Sequence, residues 1–165
     1  MPRHLSLPAV LSALLLAAGL LAGCGSSDPA AQADAAQTAL STGDPAVARA
    51  KAEEGLKAGA ADKNLAWRLE RIRVEAIAKQ GDSREVLATV TRLQPAHPQQ
   101  CDAAFYAKLG AILVDAGQPV GAVELADAGI QQFPDRKADF EGLIGSIQAG
   151  GDAEAVAKLK AMGYL

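Results

Sequence analysis

AAFYAKLGAILVDAGQPVGAVELADAGIQQFP, residues 103–134, places two apolar runs on either side of Gly117-Gln118-Pro119. Leu109, Ile112 and Leu113 recur three and four residues apart, the period of a helix face and not of a strand. Gly117 suits the left-handed conformation that ends a helix. Pro119 suits the first turn of the next one, where a missing N–H costs nothing. The same punctuation returns in both directions along the chain. Gly43-Asp44-Pro45, Gly81-Asp82-Ser83 and Gly151-Asp152-Ala153 each precede another helical pattern, and the four glycines are 38, 36 and 34 residues apart. Asp44, Asp82 and Asp152 are good N-cap residues, and Asp82 with Glu85 forms a capping-box pattern. A period in this range marks helix pairs repeated along a chain.

This punctuation predicts helices over 29–41, 45–58, 63–79, 83–93, 100–116, 119–132, 136–149 and 152–162. Leu65, Leu69, Ile72 and Ala76 give the third of these an apolar face. No stretch alternates convincingly, so the expected fold is all-α. The segment Ala103–Pro134 resembles a tetratricopeptide repeat, with Tyr106, Leu109, Gly110, Leu113, Gly117, Ala122, Ala126 and Pro134 at that family's signature spacings. Gly81, Leu93 and Pro98 match the preceding unit; Phe140, Leu143, Gly151 and Val156 match the following one. The first unit matches least. Gly43, Ala48 and Ala52 fit, but Ala60 stands where the terminal Pro belongs, and Ala35–Leu40 is rich in alanine. The resemblance implies antiparallel helix pairs stacked as a short right-handed solenoid, about four units over residues 30–165.

The other end of the chain speaks of an address. Arg3 opens a short positive region, and an apolar run from Leu5 to Leu21 follows it. The run ends in Leu21-Ala22-Gly23-Cys24, which closely resembles the lipobox of bacterial lipoproteins. That resemblance implies cleavage of residues 1–23, a diacylglyceryl thioether on Cys24, and acylation of the new amino terminus. Several acyl chains on one residue anchor stably where a single chain is marginal. Gly25 follows the cysteine, and it is not the Asp that commonly signals inner-membrane retention. The resemblance therefore implies the outer membrane, facing the periplasm, with residues 24–29 as a lipidated tether.

Processing would leave 142 residues carrying 15 basic and 19 acidic side chains, with a single His (His97) and, besides Cys24, a single Cys (Cys101). An acidic balance without a concentrated basic face excludes a nucleic-acid footprint. One leftover thiol forms no internal disulfide, and Cys101 reads as a small buried hydrophobe. One His and one Cys offer no zinc-ligand spacing, and His97 between Ala96 and Pro98 reads as a solvated turn residue. The serines lie in no nucleophile-elbow context, and no glycine loop is built for phosphate. The expectation is a protein without enzymatic activity, cofactor, metal or small-molecule substrate.

A protein partner is expected instead. In tetratricopeptide arrays the first helix of each pair lines a concave groove that holds a peptide or a partner's helix. Carried over by position, that groove shows Arg68, Arg71, Glu75 and Lys79, then Ala104, Ala107, Lys108, Ala111 and Asp115, then Glu141, Gly142, Gly145 and Gln148. Its floor is small, and Arg68, Arg71 and Lys108 are placed to converge on an acidic or carboxylate-ended guest. The competing reading pairs Arg68 and Arg71 with Glu75 and nearby acids on a solvated face. Trp67 reads as packing between units. Met162, Tyr164 and Leu165 follow a short last helix with no polar cap beyond, so the tail either folds back or offers a contact. The function expected is an anchored adaptor, of the kind that assists assembly of an envelope machine. The alternative is a constitutive structural subunit of an envelope complex, held through its C-terminal end.

Overall fold

The computed structural model describes residues 28–165; the segment 1–23, the lipobox cysteine Cys24 and most of the tether lie outside the described residues. Eight α-helices follow in order: α1 Pro29–Ser41, α2 Pro45–Ala58, α3 Lys63–Lys79, α4 Ser83–Leu93, α5 Ala103–Asp115, α6 Pro119–Gln132, α7 Glu141–Gly150 and α8 Ala153–Ala161. No strand occurs among the described residues. None of these helices is long and apolar enough to cross a membrane. The chain is all-α.

Local chemistry sets the boundaries. The carboxylates of Asp44, Asp82 and Asp152 accept hydrogen bonds from the Val47, Glu85 and Ala155 amides at 3.1, 2.9 and 2.8 Å. Gly43, Gly81, Gly117 and Gly151 take φ between +71° and +85°, which only glycine adopts without strain. At the first three of these turns the residue after the glycine donates back to Ala39, Ile77 and Leu113, closing a Schellman motif.

Two spans differ from those expected by more than one residue at an end. Helix α5 begins at Ala103 and not at residue 100, because Asp102 caps it by accepting from the Phe105 amide at 2.9 Å. The span expected as one helix over 136–149 is a 3-10 segment, Pro134–Phe140, followed by α7. Arg136 sits at φ −113°, ψ 20°, outside helical geometry, so the α turn cannot propagate until Glu141.

Chain neighbours pack as hairpins. In addition α1 packs on α3, α3 on α5 and α5 on α7, while α4 meets α6 and α6 meets α8. The apolar faces form two buried clusters. The larger gathers Val86, Leu93, Phe105, Leu109, Leu113, Leu125, Phe140 and Ile147 among others. The smaller joins Ala33, Ala36, Ala39, Leu40, Ala48 and Ala52 to Leu69, Ile72 and Ala76 of α3. Helix α3 contributes to both, through Val74, Ile77 and Ala78 on its other face. Between α2, α3 and α4 runs a charged seam: Arg49 reaches Glu53 (3.1 Å) and Glu85 (2.7 Å), and Arg73 bridges Glu53, Glu70 and Glu85. Burial opposes ionisation of Glu53, yet hydrogen bonds and charge from Arg49 and Arg73 outweigh it and hold the carboxyl below its ordinary value.

Candidate functional site

The successive packing of α1, α3, α5 and α7 sets four helices side by side. On α5 the exposed residues Ala104, Lys108, Ala111 and Asp115 recur at three and four residues, so one face of that helix looks outward. On α7 the exposed residues include Glu141, Gly142, Gly145 and Gln148. A Cβ added at Gly142 or Gly145 would meet nothing within 4 Å, so this part of the floor is open space.

The basic residues expected to converge there are engaged already. Arg68 pairs with Asp34 of α1 at 2.8 Å. Arg71 donates to Glu75 at 2.9 Å and to Gln37 of α1 at 3.0 Å. Lys108 reaches the same oxygen of Glu75 at 2.6 Å. Glu75 itself is only 6% exposed. Arg71 and Lys108 thus converge, but on a carboxylate the chain supplies, and Arg68 stands apart with Asp34. The pairing reading describes these three cations better than a vacant clamp does. Lys108 nevertheless keeps half its side chain in solvent, with ammonium protons to spare.

Asp115 lies away from this cluster, at the end of α5. There it lines a cavity of about 270 Å³ with Gly43, Pro45, Lys79, Ile112 and Ala116. A second cavity, of about 320 Å³, lies beside the α5–α6 turn and the end of α7, against Gly117, Pro119, Ser146 and Ile147.

Other residues singled out in the sequence fall as follows. Trp67 packs against Phe105 with ring centroids 5.3 Å apart, joining α3 to α5. His97 is half-buried and lies 5.1 Å from the Trp67 ring, so it is a packing residue and not a freely solvated one. Cys101 is fully buried, with Sγ 3.8 Å from the Val90 carbonyl oxygen. Burial, and then the charge of Asp102, push its thiol up to about 11. The tail folds back: the Tyr164 hydroxyl donates to Asp127 of α6 at 2.7 Å, and Lys137 stands over the ring at 5.4 Å. Leu165 remains 44% exposed. Among the described residues no three His, Cys, Asp or Glu side chains gather to hold a metal ion.

Six of the cross-helix pairs share one property that single-residue reasoning missed. Asp34–Arg68, Gln37–Arg71, Glu75–Lys108, Arg49–Glu85, Glu124–Lys158 and Asp127–Tyr164 are separated by 33 to 37 residues. Those separations lie close to the 34 to 38 residues between the recurring glycines. No family model, no curated protein and no solved structure matches the chain.

Proposed function

We propose that the chain is a lipid-anchored protein-interaction module of a bacterial envelope, with helix pairs stacked as a tetratricopeptide-like, right-handed solenoid. The observation that carries the stacking is the set of polar pairs one repeat apart, because such pairs form when equivalent positions of successive units lie against each other. The anchor rests on Leu21-Ala22-Gly23-Cys24 and the apolar run before it. It implies attachment through lipid on Cys24, most simply at the outer membrane facing the periplasm. Confinement to a surface raises the effective concentration of the module for partners held there.

The guest site is the outward face of α3, α5 and α7. Arg68, Arg71, Glu75 and Lys108 form a paired polar rail along one part of it, and Ala104, Ala111, Gly142 and Gly145 leave room beside the rail. With Glu75 neutralising one cation, the rail favours a guest that contributes one acceptor to Lys108, not a strongly acidic one. The role is recruitment, without catalysis or cofactor; that step is analogy from architecture, since a fold does not fix function. The inward fold of Tyr164 favours the groove over the C-terminal end as the contact.

Capture from membranes tests this with full-length wild type beside Ala111→Arg/Gly145→Arg. Both positions are exposed, so the added side chains fill the floor and leave the ion pairs intact. A specific protein crosslinked to wild type and lost in the variant, at equal helicity, supports the groove. Equal capture by both moves the contact elsewhere. Mass measurement of Cys24 from membranes tests the anchor separately: an unmodified thiol would refute it.

A further inference from the structure

Among the described residues neither end of the helix array has an outer neighbour, so within them each terminal hairpin is held by what it buries inward. The two ends bury very different things. At the C-terminal end, α7 and α8 place Leu143, Ile144, Ile147 and Leu159 in the larger cluster, and Tyr164 straps them to Asp127. At the N-terminal end, α1 and α2 bury five alanines and Leu40. Small side chains do let these helices approach α3 closely; a Cβ at Gly55 would lie 2.8 Å from Leu69 Cδ2. Methyl groups still remove far less apolar area from water than Leu, Ile or Phe side chains.

Leu69, Ile72 and Ala76 of α3 are buried beneath these alanines, with Leu56 of α2 beside them, and the other links across this boundary are polar. Asp34–Arg68, Gln37–Arg71, Arg49–Glu85 and Glu53–Arg73 link the hairpin to α3 and α4. Asp34 is 72% exposed at its side chain and Arg68 38%. Links so placed are open to screening by salt. Helix α3 itself is held from the other side, where Val74, Ile77, Ala78 and Trp67 pack into the larger cluster. The connection from α2 to α3 begins at Gly59, at φ +84° with open space around its Cβ position.

We propose that the α1–α2 hairpin opens as a unit, an ionically latched lid over Leu65, Leu69, Ile72 and Ala76 of α3, while residues 63–165 stay folded. Opening swings on the Gly59–Asp62 connection and uncovers an apolar stripe that the closed form hides. The proposal stands whether or not the chain carries a lipid.

Hydrogen exchange on the full chain, read by mass spectrometry at low salt and at about 0.5 M salt, tests it. Amides of residues 30–57 are expected to exchange together, about tenfold or more faster than those of α5 and α6. Salt should widen the gap, and Arg49→Gln or Arg68→Gln should speed that block alone. Equal protection of α1, α2, α5 and α6 in wild type would overturn the lid. So would variants that accelerate every helix alike, because the hairpin would then belong to one cooperative body.

Discussion

Lys108 of α5 reaches back to Glu75 of α3, with Nζ 2.6 Å from Oε1. The carboxylate is nearly buried and the lysine half-exposed, so the two ends of the contact carry unequal stakes. Lys108→Met leaves Glu75 with Arg71 and should cost about 1 kcal/mol or less, given the solvent at the lysine. Glu75→Gln keeps an amide oxygen but removes the negative charge that the two cations share, and should cost about 1–3 kcal/mol. Urea unfolding of both single variants and the double variant closes the cycle. A coupling energy indistinguishable from zero would show the contact to be ornamental.

Glycines that look alike in the sequence should respond oppositely. At Gly129 an added Cβ would meet Phe140 Cζ at 2.5 Å and Tyr106 Cβ at 3.1 Å. Phe140 is fully buried and has little room to retreat. Gly129→Ala should therefore destabilise by about 1–3 kcal/mol. Gly145→Ala, in open space on α7, should stabilise by about 0.5–1 kcal/mol. Thermal melts that order these two the other way would contradict the packing described.

One of the four recurring turns lacks a side-chain cap. Gln118 makes no capping bond, yet its φ −117°, ψ 55° lies near the −109°, 79° of Asp44, which does. Gln118→Asp should donate the missing acceptor and add about 0.5–1 kcal/mol. Asp102→Ala should lose a similar amount by the same logic. No change in melting temperature for either would remove capping as the determinant of these starts.

The tail has a pH signature. Burial, then the hydrogen bond and charge of Asp127, raise Tyr164 from its ordinary 10.0 to about 12. A folded-state value above the unfolded one means that its contribution is complete below pH about 10 and is lost as pH rises through about 12. Wild type should therefore lose stability over that window relative to Tyr164→Phe, which lacks the titration. At neutral pH the phenylalanine variant should be less stable by about 1 kcal/mol. Parallel alkaline unfolding curves for the two proteins would refute the latch.

Cys101 should behave as a core residue toward thiol reagents. With its thiol raised to about 11 and no exposed surface, alkylation at pH 8 should proceed only through opening of the fold. The labelling rate should rise with urea in step with unfolding. Rapid labelling of the native chain would restore a reactive role for this residue.

Much of this architecture was legible because its punctuation is local. The Gly-Asp and Gly-x-Pro steps specify both the end of one helix and the start of the next within three residues, and the ends of α1 and α3 and the starts of α2 and α4 follow from them. The two misplaced spans lacked that clarity. Gln100 and Cys101 read as helix, but Asp102 is the residue with an acceptor to offer, and it sets the start. The break at Arg136 has no glycine or internal proline to announce it; Phe133 and Pro134 only begin the segment. At the site, the pairing of Arg71 with Glu75 was already the competing reading, but that Lys108 reaches the same oxygen was not legible. Glu75 looked like one more charge on a solvated face, and its burial depends on α1 and α5 together. The missing signal lay near the period: subtracting 34 residues, the shortest of the glycine spacings, from Arg68 or Arg71 lands on Asp34 or Gln37.

Contacts spaced by one repeat also govern how such a gene can change in length. A duplication spanning Asp82–Gly117 would insert a segment bearing its own cap, its own left-handed glycine and its own charged partners in the same frame. An insertion of half that size would set Lys108 against the wrong turn of α3 and strand Glu75. On the stacking proposed above, the chain would grow by whole units and resist fractions of them.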